Sequence, residues 1–377
     1  MQDGFAFADD LGPSKITHVH EPSIGLFAIL VVDNVALGPS VGGVRMASDV
    51  SLEECFRLAR AMTLKNAAAG LPHGGGKTVV FSDPKLPKPD KERLIRGLAQ
   101  ALRNADEYIF APDMGTDEEC MAWIRDEIGR VVGLPRELGG IPLDQIGATG
   151  FGLAHVAEVA QEYADIRLDG ATVVIQGFGA VGGNTARFLS ERGALILAVA
   201  DSRGAVHDRH GLDVSALLEL KQAGKSVIDY RYGRRIERDA VVGIGCDIWI
   251  PAARPDVIRE DNVSQLETKL VIQGANIPVT PEAERILHDR GVLCVPDFIA
   301  NAGGVICAAM EYKGATESIV LQSIKDKVRD NTRLVLEDSR RRGILPRQAA
   351  EELALARVRK AMSLRRFSLF STGPRWQ

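Results

Sequence analysis

Two lysines on either side of a glycine run have the clearest capacity for chemistry in this 377-residue chain. Lys65 and Lys77 bound the segment KNAAAGLPHGGGK, and its glycines at 74–76 would let a backbone and a ligand approach closely. If the chain turns there, both ammonium groups face one pocket, which is the arrangement of a site. A phosphate-binding P-loop is disfavoured, because it needs a glycine where Leu71 stands and runs from a strand into a helix. A plain loop between two solvated lysines would explain the segment as well.

Two further segments carry groups that could join these lysines. In LGPSVGGVRM, Gly42 and Gly43 could bring backbone N–H groups to an anion, and Arg45 adds a positive charge nearby. Asp113 follows a predicted strand at 108–110 and lies in the loop APDMGTDEE, where catalytic groups often occur. Taken alone, a plain turn explains the first segment equally well, and a helix cap or turn residue is the better explanation of Asp113.

A dinucleotide-binding motif is the most specific single signal. A strand at 173–175 leads into GFGAVG, then into a helix and a second strand that ends at Asp201. In this context the glycines permit a tight turn, close approach of a pyrophosphate and packing of the helix on the strand, while the helix N-terminus offers its amides to phosphate. The predicted cofactor contacts are Gly177, Phe178, Gly179, Ala180, Val181 and Gly182.

The residues after the second strand predict which dinucleotide binds. Asp201 is placed to accept hydrogen bonds from a ribose 2′-hydroxyl and would repel a second phosphate, so it favours NAD over NADP. Ser202 beside it is a further candidate contact. Ser202 and Arg203 would also suit a 2′-phosphate, which keeps NADP open as the alternative.

The elements that must position these groups alternate between helix and strand, which predicts an α/β fold. A capping box at Ser51 and Glu54 begins a helix that Gly70 can close, and a strand follows at 78–81. Thr149 is a predicted N-cap of a helix just before the dinucleotide motif.

The later strands point to a second set of ligand contacts. Strands at 247–250, 270–272 and 292–295 end in small or polar residues, and the ligand of a doubly wound sheet lies at the carboxyl ends of its strands. Asn276 and Asn301 are therefore candidates to contact cofactor or substrate.

Composition excludes several classes of partner. A net charge of −4 argues against a nucleic acid or an anionic membrane surface. The 5 cysteines are widely spaced without a CxxC pair, so we expect reduced thiols and no metal site. The longest apolar run near the start, residues 26–32, is too short to span a bilayer, and we expect a cytoplasmic location.

Taken together, the motifs resemble the family of glutamate, leucine, phenylalanine and valine dehydrogenases. The resemblance covers nearly the whole chain, in the family's order, and rests on LGPSVGGVRM, MTLKNAAAGLPHGGGKT, APDMGTD, ATGFG, QGFGAVG, GANIPVTPEA and ANAGGV. It implies a substrate-binding and oligomerisation domain at 1–135, a Rossmann NAD-binding domain at 136–330, and C-terminal helices at 331–377 that return to the first domain. It also implies a homo-oligomer.

The resemblance implies reversible oxidative deamination, in which an L-amino acid and NAD give a 2-oxo acid, ammonia and NADH. Lys65 matches the lysine that binds the α-carboxylate, beside the Gly42–Gly43 backbone. Lys77 matches the catalytic lysine, and crowding by another cation with partial desolvation can bring a lysine pKa toward about 7–8, which suits a base that activates water. Asp113 matches the carboxylate that shuttles protons to and from the substrate nitrogen. The other residues matched near substrate or nicotinamide are Met62, Thr149, Asn276 and Asn301.

One departure from the family pattern predicts the substrate. Glutamate-specific members carry a lysine where this chain has Val41, and a distal carboxylate buried without that partner would be costly. We therefore expect an apolar amino acid of the leucine, valine or phenylalanine type. APDMGTD and DSRG are nearer the glutamate branch, and glutamate remains the alternative if another cation, such as Arg45, serves its distal carboxylate.

Two different classes of protein share the dinucleotide motif. A catalytically silent nucleotide-binding regulator would keep that motif, but it would not need Lys65, Lys77 and Asp113 as a set. A 2-hydroxy-acid dehydrogenase would need a histidine base near the nicotinamide, and His73 is the one histidine in a suitable loop. Both are therefore disfavoured relative to an amino-acid dehydrogenase.

Overall fold

The structure is a computed structural model that describes residues 6–365. Its contacts divide the chain into two compact units. The first contains Met1–Pro142, Val305–Val320 and Glu352–Gln377, and the second contains Leu143–Gly304 and Leu321–Glu351. These units differ from the predicted domains at residues 136–142 and 305–320, which group with the first unit, and at residues 331–351, which group with the second. The predicted domain bounds stay a prediction. Residues 366–377 of the predicted C-terminal part lie outside the described residues.

The first unit is built on one mixed sheet of five strands. The strands are β1 (Lys15–Glu21), β2 (Leu26–Asn34), β3 (Ser40–Ala47), β4 (Gly74–Phe81) and β5 (Tyr108–Pro112). Their order across the sheet is β1-β2-β4-β3-β5. The pairs β1–β2 and β2–β4 are antiparallel, whereas β3 runs parallel to β4 and to β5. The two parallel pairs place β4 and β5 on either side of β3, running in the same direction.

Three helices cover this sheet unevenly. They are α1 (Leu52–Ala68), α2 (Lys88–Ala101) and α3 (Glu118–Ile128). Both α2 and α3 bury their apolar residues against one face, around Leu98 and Ile124. On the other face, α1 packs Cys55 and Ala59 on residues of β2 and β4, such as Val79. α1 therefore covers mainly the β2 and β4 half of that second face, and the β3 and β5 half packs against other residues.

The second unit has a sheet of seven strands with helices between them. Its elements are α4 (Leu143–Ile146), α5 (Ala148–Ala160), β6 (Thr172–Gln176), α6 (Ala180–Ser190), β7 (Leu195–Asp201), β8 (Gly204–His207), α7 (Val214–Gln222), β9 (Arg234–Ile236), β10 (Ile248–Pro251), β11 (Leu270–Ile272), α8 (Pro281–Asp289), β12 (Leu293–Val295) and α9 (Asp297–Ala300). Three C-terminal helices follow, namely α10 (Gly303–Tyr312), α11 (Glu317–Arg342) and α12 (Pro346–Ser363).

The order of this second sheet is that of a doubly wound fold. It reads β12-β11-β10-β6-β7-β8-β9, with parallel pairing from β12 to β7. The chain passes from β6 to β7 on one side and later resumes at β10 on the other, so the order reverses between β6 and β10. Ligands of such sheets bind at this reversal, beyond the carboxyl ends of the strands. The predicted α/β fold class is confirmed.

Three local interpretations need correction. Gly74–Gly76 do not form a turn but are the first residues of β4, and Gly42–Gly43 lie inside β3. Thr149 is not an N-cap, because α5 begins at Ala148 after Gly147, which has φ +72°. The Ser51 cap is confirmed, since its side chain accepts from the backbone N–H of Glu54.

Neither a membrane span nor a metal-binding group occurs within residues 6–365. None of the helices in this range has both the length and the apolar character that a bilayer span requires. The same range contains no group of three or more His, Cys, Asp and Glu side chains arranged to hold a metal ion.

Candidate active site

A buried lysine and an aspartate form the centre of the site in the first unit. Lys77 lies in the middle of β4 and Asp113 directly follows β5, and Lys77 Nζ is 2.7 Å from Asp113 Oδ2. The Lys77 side chain is only 7% exposed, whereas that of Asp113 is 24% exposed. The aspartate is therefore the member of the pair that a ligand can reach more easily.

An arginine joins this pair and extends it into a charge network. Arg45 of β3 donates from Nε to the same Oδ2 atom of Asp113 at 2.9 Å. Its NH1 group donates to Glu54 of α1 at 2.6 Å. Sequence reasoning noticed the charge of Arg45 but missed this second carboxylate, because the capping box accounts for Glu54 on its own. Because α1 directly follows β3 along the chain, their closeness in sequence is the signal that could have predicted the contact between Arg45 and Glu54.

The surroundings shift both pKa values at the centre of the site. Burial lowers the pKa of Lys77 and outweighs Asp113, whose charge acts in the opposite direction, while Arg45 lowers it further. Burial alone would raise the pKa of Asp113, but Lys77 and Arg45 outweigh it and the pKa lies below its usual value. The site therefore combines an amine that releases its proton more readily than usual with a carboxylate that stays ionised.

Glycines are required where this network meets the sheet. A Cβ atom on Gly43 would lie 2.6 Å from Asp113 Cβ and 3.2 Å from Lys77 Nζ. A Cβ atom on Gly42 would lie 1.9 Å from the carbonyl oxygen of Gly76, so β3 and β4 approach closely there. The Gly42 carbonyl also accepts a 2.6 Å hydrogen bond from the Tyr108 hydroxyl. The glycines thus make room for Lys77 and Asp113. An anion contact through their N–H groups stays a prediction.

The predicted carboxylate-binding lysine lies on the neighbouring helix. Lys65 is in the last turn of α1 and is half-buried, as is Met62. The next residue, Asn66, donates to the carbonyl of Gly74 at 2.7 Å, which ties this turn to the start of β4. The helix ends as predicted near Gly70, which has φ +63°. The substrate roles of Lys65 and Met62 stay predictions.

An apolar cluster lies on the same face of the sheet as the charged pair. Side chains alternate along a strand, so Val41 shares a face with Gly43, and Ile109 and Ala111 share one with Asp113. Val41 pairs with Ile109 across the parallel strands. The cluster consists of Val41, Ile109 and Val132 with the partly buried Ala111 and Ala308. The cluster lies on the β3 and β5 half of the face described above, where Val41, Ile109 and Val132 are buried. None of the cluster's residues is a cation.

The dinucleotide motif has the geometry that a pyrophosphate requires. Gly177 has φ +105°, and a Cβ atom on Gly182 would lie 1.8 Å from the Gly177 carbonyl oxygen. Gly179 is the N-cap of α6 without a side-chain hydrogen bond, and nothing lies within 4 Å of its Cβ position. The predicted neighbours differ in exposure: Ala180 is exposed, Val181 is half-buried and Phe178 is buried. The first amides of α6 are thus open to an anion, and these residues fit a dinucleotide.

The carboxylate at the end of β7 is already fully engaged. Asp201 Oδ1 accepts from the N–H of Arg203 at 2.9 Å and from Ser226 Oγ at 2.8 Å. Its Oδ2 accepts from Lys221 Nζ at 2.9 Å and from the N–H of Val227 at 3.0 Å. Burial would raise its pKa, but these donors lower the pKa to about 2. A ribose hydroxyl would have to replace one of the four donors, so direct contact by Asp201, with exposed Ser202 beside it, stays a prediction.

The predicted asparagines lie together in the second unit. Asn301 Nδ2 donates to Asn276 Oδ1 at 3.0 Å and to the carbonyl of Ala275 at 3.2 Å. Asn301 Oδ1 is buried and accepts no hydrogen bond from the described residues, which is unusual for a buried amide oxygen. Thr149 of α5 approaches the segment that follows Asn301, with Oγ1 3.4 Å from a Cβ position on Gly304. The structure thus groups these residues at the carboxyl ends of the parallel strands.

These two sites define a class of protein. A doubly wound sheet with an open dinucleotide loop is typical of oxidoreductases that use a nicotinamide cofactor. A desolvated lysine paired with a carboxylate provides acid–base chemistry.

The comparisons with known proteins name the family. The family model described as Glu/Leu/Phe/Val dehydrogenase, dimerisation domain, matches residues 15–130, and the Glutamate/Leucine/Phenylalanine/Valine dehydrogenase model matches residues 139–366. The chain therefore belongs to the Glu/Leu/Phe/Val dehydrogenase family and is an amino-acid dehydrogenase. The resemblance inferred from the sequence motifs is confirmed.

Individual relatives are named as glutamate dehydrogenases. The chain is 40% identical over 292 residues to the NADP-specific glutamate dehydrogenase of Saccharolobus shibatae, covering 74% of this chain and 69% of that protein. It is 36% identical over 351 residues to the NAD-specific glutamate dehydrogenase of Staphylococcus aureus, covering 88% and 84%. The Leu-bound hetero-hexameric glutamate dehydrogenase from Thermus thermophilus has a TM-score of 0.83 and 30% identity, covering 94% and 91%.

Proposed function

We propose that this enzyme catalyses the reversible, NAD-dependent oxidative deamination of an apolar L-amino acid of the leucine, valine or phenylalanine type. The observation that supports the apolar substrate is the cluster around Val41, which shares a face of the sheet with Lys77 and Asp113. A substrate whose α-carbon lies at the charged pair would extend its side chain along apolar atoms. A charged side chain would lose its hydration there without gaining a partner.

The charged groups divide the chemistry between them. Lys65 binds the substrate α-carboxylate. Lys77, whose pKa burial lowers, accepts a proton from the water that attacks the imine carbon. Asp113 holds its two cationic partners through Oδ2, so Oδ1 can exchange protons with the substrate nitrogen. Arg45 keeps that carboxylate ionised between steps.

The cofactor is held by residues of the second unit. The amides at the start of α6, with Gly177 and Gly179, would hold the pyrophosphate, and Thr149, Asn276 and Asn301 would lie at the nicotinamide end. The cofactor would supply the acceptor for the hydride that leaves the substrate α-carbon. NAD is favoured by the negative charge of Asp201 and by the NAD-specific relative, and NADP remains the alternative because an NADP-specific relative is as similar.

Glutamate is the second candidate substrate, favoured by the names of the relatives. It requires a cation for the distal carboxylate. Arg45, the cation first considered for this role, already contacts Asp113 and Glu54, which weakens this candidate.

A homo-oligomer is the assembly we propose. The matching N-terminal family model is described as a dimerisation domain.

Initial-rate NADH formation with a panel of L-amino acids, each repeated with NADP, tests the proposal. We expect turnover with leucine, valine or phenylalanine and little with glutamate. Turnover with glutamate alone would keep the acid–base roles and remove the apolar substrate. Absence of turnover with every amino acid would favour a silent nucleotide-binding protein instead.

A further inference from the structure

A strained residue lies next to one of the proposed ligand contacts. Ile277 has φ +49°, a left-handed conformation that is a genuine outlier for a β-branched residue. Its side chain is largely exposed, so packing of that side chain does not explain the conformation. Strain of this kind persists only where the surroundings impose it, and it concentrates at functional sites. The neighbouring residue is Asn276.

A buried carboxylate holds the backbone at this residue. Asp297, the first residue of α9, accepts the backbone N–H of Ile277 on Oδ2 at 2.9 Å. The same short helix leads to Asn301, whose Nδ2 donates to Asn276 Oδ1 at 3.0 Å. The backbone N–H of Asn301 in turn donates to the Asp297 carbonyl at 2.7 Å. The loop that carries Asn276 is thus held at two adjacent residues by one short helix.

An arginine fixes the carboxylate. Arg347 at the start of α12 donates from NH2 to Asp297 Oδ1 at 3.1 Å. It also contacts Glu284 of α8 through Nε at 2.7 Å and through NH2 at 2.8 Å. The same NH2 group lies 3.1 Å from Gln273 Oε1, at the beginning of the Asn276 loop. Glu284 and Asp297 are both at least nine-tenths buried, so neither carboxylate can move without leaving a charge unpaired.

We infer that Asp297 and Arg347 are positioning residues for the deamination reaction, which hold Ile277 in its strained conformation and thereby set the orientation of the Asn276 amide. This inference rests on the proposed function, because it takes the contact of Asn276 with substrate and nicotinamide from that proposal. Neither side chain is assigned a contact with the reacting atoms. Their effect passes through the backbone at Ile277.

A glycine substitution separates positioning from mere stability. Glycine adopts positive φ without strain, so in Ile277→Gly the loop conformation depends less on the hydrogen bond to Asp297. We expect Asp297→Asn to lower kcat/KM by about 10- to 100-fold, since a displacement of about 1 Å can cost that much. In the Ile277→Gly background, Asp297→Asn should lower kcat/KM by a several-fold smaller factor. A purely structural role for Asp297 would give the same loss in both backgrounds.

The test compares the full-length enzyme and its variants by three measurements. These are kcat and KM for the best amino acid, the kinetic isotope effect with the α-deuterated amino acid, and the Kd of NADH by fluorescence. For Asp297→Asn we expect lower kcat, a larger isotope effect because hydride transfer becomes slower, and a change in the Kd of NADH smaller than the change in kcat, because the pyrophosphate loop is untouched. Asp289→Asn, an exposed aspartate at the end of α8, is the control and should match wild type.

A second variant covers the case in which Asp297→Asn does not fold. Arg347→Lys keeps one buried positive charge but cannot reach Gln273, Glu284 and Asp297 together. It should show the same larger isotope effect and the same recovery in the Ile277→Gly background. Folded variants with a wild-type isotope effect would overturn the inference, and so would losses of kcat/KM that Ile277→Gly does not reduce. Either result would leave the proposed function standing. A wild-type enzyme without turnover on any amino acid would remove the proposed function, and the inference would fall with it.

Discussion

Asp113 in the first unit and Asp201 in the second are both partly buried aspartates at strand ends, and both contact a lysine. They differ in how their oxygens are used. Both cations at Asp113 contact Oδ2, and no residue between 6 and 365 donates to its Oδ1. At Asp201 each oxygen accepts from two protein donors. A carboxylate accepts about four hydrogen bonds, so only Asp113 of these two retains capacity for a ligand.

This difference distinguishes a reacting group from a supporting one. The pKa of each aspartate lies below its usual value, so ionisation alone does not tell them apart. The two aspartates are told apart by the number of acceptor positions that no protein donor occupies. We therefore propose that Asp113 transfers the proton, while Asp201 connects the end of β7 to the end of α7 and to the segment that follows α7.

The largest effect should follow the removal of the lysine beside Asp113. Lys77→Ala removes the base and should lower kcat by about 100- to 10,000-fold, the usual contribution of acid–base catalysis. The Kd of NADH should stay unchanged, because the dinucleotide loop lies in the other unit. Lys85→Ala, an exposed lysine after β4, is the matched control. Loss of NADH binding together with turnover would contradict the role given to Lys77.

Neutralising each aspartate tests the comparison directly. Asp113→Asn should lower kcat by about 100-fold, and it should also lower the free energy of unfolding because buried Lys77 loses its ionic partner. Asp201→Asn should leave kcat nearly unchanged but lower the free energy of unfolding by about 1–3 kcal/mol, because buried donors lose their acceptor. Steady-state kinetics and urea denaturation of both variants give the two results. The reverse pattern would mean that the roles are exchanged.

A smaller effect is expected at the helix beside β4. Lys65→Ala should raise KM for the 2-oxo acid by about tenfold or more, since a charge-assisted bond to the substrate carboxylate is lost. The change in kcat should be smaller than the change in KM, because Lys65 binds the substrate and transfers no proton. Reductive amination assays with varied 2-oxo acid give both constants. A variant that loses kcat and keeps KM would place Lys65 in the chemistry.

The smallest effect is a shift in pH dependence. Burial is the main cause of the lowered pKa of Lys77, and Arg45 lowers it further. Arg45→Gln should therefore raise the pKa of Lys77, also because Asp113 then pairs with Lys77 alone. Deamination requires neutral Lys77, so the rise of kcat/KM with pH should move to higher pH than in wild type. A shift of the profile to lower pH would contradict the electrostatic role of Arg45.

The sequence was sufficient for the features that depend on local pattern. The βαβ unit around GFGAVG was predicted with its strands, because hydrophobic runs and glycines at fixed spacing act within one segment. The strands at 248–251 and 270–272 lie where their apolar runs indicated. The family motifs identified the enzyme class for the same reason.

Features that depend on neighbouring strands were not predictable. Gly74–Gly76 look like a loop in sequence, but they pair with β2 and β3 as strand residues. Glycine is needed there because the carbonyl of Asn34 and the backbone of Thr63 occupy the positions where side chains would lie. The four donors around Asp201 come from three separate segments, so its lack of free acceptor positions appears only in the fold. The contact of Glu54 with Arg45 was hidden by its position in a capping sequence.

The measurement that tests the central claim most directly is the ratio of kcat/KM for L-leucine to that for L-glutamate, in wild type and in Val41→Lys. Val41→Met, which is long and uncharged, is the matched control. We predict a high ratio in wild type and in Val41→Met, and a marked fall in Val41→Lys because a cation then lies beside the charged pair. A ratio that favours glutamate in wild type, or that is unchanged in Val41→Lys, would contradict the apolar substrate site.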